Sequence, residues 1–192
     1  FDDGEPVTLS NILAGEVWVC AGQSNMEMPV KGFGNCPVEG YNKAVVEANQ
    51  YKGIHYVKIP SVMSNKPLDD ASCEWKEISP ETVGEASATG YFFAQVVNKA
   101  LDIPVGLVMA NKGGTRVESW LDRDYLKKNT KEETDSAKIV KSKKFKWDFH
   151  YPLLWGNGTF HPILNYTVKG ILFYQGCSNV GDPDGQYTQR LA

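Results

Sequence analysis

The sequence predicts an α/β fold built on a parallel, doubly wound sheet. Three observations carry that expectation. A chain of 192 residues has the length of one domain, and its 42% hydrophobic and 11% aromatic content rules out a disordered chain. Four short apolar segments read as strands, and three of them are near-continuous apolar runs of the kind covered on both faces. Helical patterns lie between them, and a β-α-β order with helical crossovers makes the strands parallel.

Residues 16–21 form the first predicted strand and residues 54–59 the second. Between them, residues 41–51 carry Ala44, Val45 and Ala48 at helical spacing and stop before Gly53. Residues 86–101 read as a second helix, with Phe92, Val96 and Ala100 on its inner stripe and Phe93 and Val97 beside it. The third strand is expected at 103–110 and the fourth at 169–174. Residues 127–146 differ from the rest. Eight lysines there face Glu132, Glu133 and Asp135, which reads as a solvated excursion, with docking of an anionic glycan as the weaker alternative.

Several classes of function are excluded or left without support. Twenty basic against 23 acidic residues give a net charge of −3, which argues against nucleic acid. The longest clean apolar run, 103–110, is far too short for a membrane span, and no signal-peptide core opens the chain. His55, His150 and His161 are too scattered for a metal site and read as structural, hydrogen-bonded side chains. Cys20, Cys36, Cys73 and Cys177 show no zinc-ligand spacing. Cys20 reads as a buried thiol. Cys36 and Cys73 sit in loop-like sequence, and their pairing as a disulfide is expected. Asn157-Gly158-Thr159 and Asn165-Tyr166-Thr167 fit the glycosylation pattern.

In a parallel sheet, ligands gather at the carboxyl ends of strands. After the first strand comes Gly22-Gln23-Ser24-Asn25. A serine at a strand-to-helix turn is placed for nucleophilic work near a helix amide dipole, and it reads equally as a helix cap. After the third strand, Gly113 and Gly114 bring backbone amides close to a ligand, as an oxyanion hole needs, or merely form a tight turn. After the fourth, the carboxamides of Gln175 and Asn179 are donors for the same oxyanion, or parts of a polar turn. Three such loops converging on one sheet edge make an acyl-transfer half-site.

Residues 15–29, GEVWVCAGQSNMEMP, resemble the nucleophile block of the sialate O-acetylesterase family of SGNH-type hydrolases. GGTRVESW at 113–120 is similar to its second block, and GILFYQGCSNV at 170–180 to its third; 90–111 also looks like the family. The resemblance covers nearly the whole chain. It implies a three-layer α/β/α fold and hydrolysis of O-acetyl esters on sugars, with Ser24 as nucleophile, Gly113, Gly114, Gln175 and Asn179 at the oxyanion, and Gln23 and Asn25 in support. It implies an O-acetylated carbohydrate as partner, no metal or organic cofactor, and a secreted, periplasmic or lysosomal setting.

Two positions depart from the family pattern. Cys177 stands where the third block has glutamate, and no Asp-x-x-His block supplies a catalytic pair. The resemblance therefore implies a fragment: residues 1–14 as the tail of a β-rich module or linker, and 15–192 as a hydrolase domain whose Asp and His lie beyond Ala192. Association with itself or with that missing segment follows as an expectation. Two rival readings remain: a non-catalytic carbohydrate-binding relative, and a lipase- or thioesterase-like hydrolase.

Overall fold

The computed structural model describes residues 4–10, 12–183 and 185–191. Five strands form one mixed sheet: β1 (Glu16–Gly22), β2 (Ile54–Lys58), β3 (Trp75–Glu77), β4 (Val105–Asn111) and β5 (Gly170–Tyr174). Their order is β3-β2-β4-β1-β5. Pairings β2–β4, β4–β1 and β1–β5 are parallel, as expected, and the short β3 adds an antiparallel edge on β2 that the sequence pattern did not disclose. The expected third strand starts two residues later, after Pro104, which lacks the amide a ladder needs.

Alternation along the strands sorts side chains to two faces. Cys20, Ile54, Tyr56, Leu107 and Met109 point to one core, and Val19, Ala21, Val57, Val108 and Ala110 to the other. The first core is covered by α1 (Ser24–Glu27), α2 (Tyr41–Glu47) and α3 (Ala88–Leu101) through Met26, Ala44, Tyr91 and Ala94. The second is covered by Ala71, Phe160, Ile163 and Val168, from coil and a tight π/3₁₀ turn.

The predicted helix at 41–51 is α2 running into a 3₁₀ turn at Ala48–Tyr51, with Ala44 and Ala48 buried. In α3 the inward stripe differs from the expectation. Ala88, Gly90, Tyr91 and Ala94 are buried, whereas Phe92 and Val96 are exposed. Small residues let α3 lie close to the sheet, where Gly90 meets the Cys20 sulfur. Counting the bulkiest apolar residues therefore turned the helix by about one residue, roughly 100°. Ser87 caps α3 by accepting from the Gly90 amide at 3.2 Å, and its hydroxyl donates to the Met26 carbonyl at 2.6 Å. That bond ties the start of α3 to α1.

The lysine-rich segment is folded as well as solvated. It holds α4 (Arg123–Asn129) and α5 (Ser136–Lys141), capped by Asp122 and Asp135 and anchored by buried Leu126 and Ile139. The remaining helix, α6 (Gln186–Leu191), ends the described chain.

Cys36 and Cys73 are both free and exposed, so the expected disulfide is not formed. The two sit on opposite sides of the sheet. Cys36 lies beside Val38, which packs on the first core, and Cys73 lines a cavity with Val57, Ile59 and Val108 of the second face. Cys20 is fully buried, and burial pushes its thiol up to about 12. Asn157 is also buried and donates to the Ser64 carbonyl at 3.2 Å, which withdraws it as a glycan acceptor in the folded chain; Asn165 is exposed. Residues 4–10 and 12–14 of the expected leading segment are coil with exposed Val7, Leu9 and Ile12; residues 1–3 and 11 lie outside the described residues.

Candidate active site

β1 lies between β4 and β5, and the register aligns Gly22 with Asn111 on one side and Tyr174 on the other. Three strands thus end at one level, and the loops that follow them are forced together. Gly22 is the pivot. Its φ of +139° and the nearness of the Tyr174 carbonyl exclude any side chain there. Beyond it, Lys112 donates its amide to the Gly22 carbonyl and Gln23 donates its own to the Tyr174 carbonyl, each at 3.0 Å.

Gln23 is buried and stitches the loops. Its Oε1 accepts from the Gly176 amide at 3.0 Å and the Ser178 amide at 3.4 Å, and its Nε2 donates to Ser178 Oγ at 3.3 Å. Ser178 Oγ in turn donates to the Gly114 carbonyl at 2.8 Å. All three predicted loops therefore meet at the residue that precedes Ser24.

Ser24 is the first residue of α1, and Gln23 is the N-cap, so Ser24 is not the capping residue. It is partly exposed. Its amide is among the leading N–H groups of α1, which have no acceptor inside the helix. Asn25 is held beside it, accepting at its carbonyl from Thr89 Oγ1 at 3.0 Å and donating from Nδ2 to the Cys177 sulfur at 3.6 Å. Cys177 thus lies beside Asn25.

Glu27 was not anticipated. It stands three residues after Ser24, on the same side of α1, and its Oε2 accepts the Gly113 amide at 2.6 Å. A Cβ on Gly113 would lie 3.6 Å from the Ser24 Cβ, so serine, carboxylate and glycine adjoin. The i, i+3 spacing in Ser24-Asn25-Met26-Glu27 was the available signal. In this arrangement the Gly113 amide, expected at the oxyanion, is engaged by Glu27. Gly114 has a φ of +79° and packs beneath the Phe149 ring, whose Cδ2 would be 2.7 Å from a Cβ at that position.

The two expected carboxamide donors are also engaged. Gln175 Nε2 donates to the Thr115 carbonyl at 3.0 Å and to Asn179 Oδ1 at 3.1 Å. Asn179 is buried; its Oδ1 also accepts the Val117 amide at 2.9 Å, while Nδ2 donates to both Glu118 oxygens, at 3.3 and 3.1 Å, and to Asp182 at 2.8 Å. A carboxamide has two N–H donors, so neither group has one left for a substrate. Asn179 sits in a charged cluster. Glu118, 1% exposed, faces Arg116 at 3.5 Å and Arg190, and Asp182 accepts from Arg116 through both oxygens at 3.0 Å. A buried carboxylate survives there only because the cations and amide pair it.

His150 lies close to this edge, with its ring against Phe149 at 4.8 Å between centroids. Burial, then the charge of Arg116, lowers its pKa, partly offset by the backbone of Gly114. His161 is a structural side chain whose Nδ1 lies 2.9 Å from the Leu68 carbonyl. His55 faces Glu77 at 4.0 Å, away from the site. Among the described residues no group of three or more His, Cys, Asp or Glu clusters to hold a metal. A cavity of about 540 Å³, lined by Leu9, Leu13, His55 and Trp75, lies at the amino ends of the strands, opposite these loops.

Residues 14–192 match the family model described as carbohydrate esterase, sialic acid-specific acetylesterase. The chain belongs to that family. Its relatives include the sialate O-acetylesterases of Mus musculus, 27% identical over 209 residues, and Homo sapiens, 28% identical over 183 residues. These cover 93% and 88% of this chain but only 38% and 32% of the relatives, so the chain spans about a third of their length. Among solved structures, a carbohydrate acetylesterase from Xanthomonas citri superposes with a TM-score of 0.75 at 30% identity, over 92% of this chain and 36% of the other.

Proposed function

We propose that this chain carries the nucleophile of a serine esterase that removes O-acetyl groups from sugars. The observation that supports this best is Ser24, which heads α1 at the carboxyl end of β1, is partly exposed, and adjoins Gly113 of the loop after β4. Its Oγ attacks the acetyl carbonyl, and the sugar hydroxyl leaves. Water then hydrolyses the acetyl-Ser24 ester to acetate. Backbone amides of Ser24 and Gly114 stabilise the tetrahedral oxyanion. Loss of one such donor typically costs about 2.7–4 kcal/mol. The amide of Gly113, and the side chains of Gln175 and Asn179, act one step back by holding the loops in register.

An uncharged serine hydroxyl needs a base. The residues around Ser24 offer Glu27, which the Gly113 amide engages, and the family resemblance assigns the role to an Asp-x-x-His pair outside these residues. The test is mass spectrometry of the complete protein quenched during turnover of an O-acetylated sugar. A single acetyl group on the peptide containing Ser24 is the expected result. Acetate release with no such adduct, undiminished in Ser24→Ala, overturns the reading.

A further inference from the structure

The turn after β4 is held by side chains from three directions. Thr115 Oγ1 donates to the Lys112 carbonyl at 2.8 Å. Ser178 Oγ, from the loop after β5, donates to the Gly114 carbonyl at 2.8 Å. The third hold is the Glu27 carboxylate, which accepts the Gly113 amide at 2.6 Å. Of the three, it alone comes from α1, the helix that Ser24 heads. Two segments 86 residues apart in sequence are joined there by one charge-assisted hydrogen bond. The join is close to the nucleophile. A Cβ on Gly113 would lie 2.7 Å from Glu27 Oε2 and 3.6 Å from the Ser24 Cβ, so carboxylate and serine flank one point on the turn. The next amide along, that of Gly114, donates to no protein group among the described residues.

Resting on the esterase reading above, we propose that Glu27 is a positioning residue, whose carboxylate sets the distance between Ser24 and the Gly114 amide that receives the oxyanion. A pair of glycines has no side chains to fix its own conformation, so Gly113-Gly114 depends on outside contacts for its shape. The i, i+3 spacing puts Glu27 on the same side of α1 as Ser24, so the nucleophile and the turn are tied to one short helix. By taking the Gly113 amide, Glu27 leaves Gly114 as the donor that the turn presents. A misplacement of about 1 Å between reacting groups can cost about 10²-fold in rate, which is why such a tie matters. The role asks for an acceptor at a fixed reach and for no proton transfer, and that separates it from a general base.

Two variants of the complete protein separate reach from charge. Glu27→Gln keeps an acceptor at the same reach, and Glu27→Asp keeps the charge but withdraws it by a methylene. Both are small changes at a partly exposed position, so both should fold. Steady-state kinetics on an O-acetylated sugar are measured across about pH 5 to 9. Glu27→Gln should keep kcat within about fivefold of the parent. Glu27→Asp should lower kcat about 10²-fold with KM within about threefold, because the loss falls on the transition state. Both profiles should keep the parent's acid limb. Glu27→Asp with the parent's kcat overturns the proposal. So does Glu27→Gln as slow as Glu27→Asp, since charge and not reach would then decide. Loss of the acid limb in Glu27→Gln overturns it in favour of a general base. Ser24→Ala is run alongside. Hydrolysis retained there breaks the nucleophile reading and this proposal with it, whereas an inactive Ser24→Ala beside a fully active Glu27→Asp breaks this proposal alone.

Discussion

The loop after β1 and the loop after β5 start side by side and are built from the same kinds of residue. They are used differently. After β5, Gln175 and Asn179 have both amide protons bonded to protein, and Asn179 joins the charged side chains of Glu118 and Asp182. After β1, Gln23 absorbs the stitching contacts, and that frees its neighbour Ser24 to face solvent at a helix start. The two polar loops therefore differ in how fully they are bonded, one locking the edge and the other leaving Ser24 partly exposed. The engagement of every donor, rather than residue type, is what separates them.

Ser24→Ala sharpens this contrast most. Activity of the complete protein on an O-acetylated sugar should fall by about 10³-fold or more. The denaturation midpoint should stay within experimental scatter, because the serine side chain is not the helix cap. A large loss of stability would place Ser24 with the scaffold and erase the difference between the loops.

Asn179→Ala should do the reverse. It strands the buried Val117 amide and removes a donor from Glu118 and Asp182. We expect about 3 kcal/mol of destabilisation, or roughly 6–12 °C in Tm for a chain of this size. Thermal unfolding reads it, and a shift under 2 °C, with lost activity, would return Asn179 to the chemistry.

Gln23→Ala tests the stitch between the loops and should cost less, about 1–2 kcal/mol, since Gly176 and Ser178 amides lose one acceptor at a partly buried site. Amide hydrogen exchange should rise at residues 176–178 and stay unchanged in β2. Uniform exchange across the sheet would show that Gln23 supports the whole fold rather than this edge.

Much of this architecture was legible in the sequence, for a physical reason. Buried parallel strands must be apolar on both faces, so β1 and β4 stand out as runs, and the residues after them are confined to the loops where ligands bind. What could not be read is partner choice. Nothing in Gln175 or Asn179 says that their protons go to Thr115 and Glu118, because those contacts depend on packing across 60 or more residues. The Cys36–Cys73 pairing failed likewise, since loop-like surroundings do not tell which face of the sheet a thiol occupies. In α3, Tyr91 and small residues form the inner stripe where Phe92 and Val96 looked stronger. Glu27 was overlooked although its spacing from Ser24 was visible.

The smallest expected effect concerns His150, which sits where the loop after β4 meets the Phe149 ring. Its pKa is lowered by burial and by Arg116, so the unfolded chain binds this proton more readily than the folded one. Stability therefore rises with pH across the window between the lowered folded value and the unfolded value of about 6.5. Above that window the ring is neutral in both states and the penalty vanishes; below it the penalty is constant. The lowered carboxylates act elsewhere on the scale. Glu85, held down by its contact with Lys31, and Glu16, held down by Lys169, lose their contributions only as pH falls below about 4.5. Urea midpoints measured from pH 8 to pH 5 should thus decline gently below about 6.5, and His150→Gln should flatten that part of the curve while leaving the acid limb. The effect is small because the ring is partly exposed and water screens Arg116. An unchanged slope in His150→Gln would show that this ring does not carry the pH dependence, and would leave the loop after β4 without a pH-sensitive neighbour.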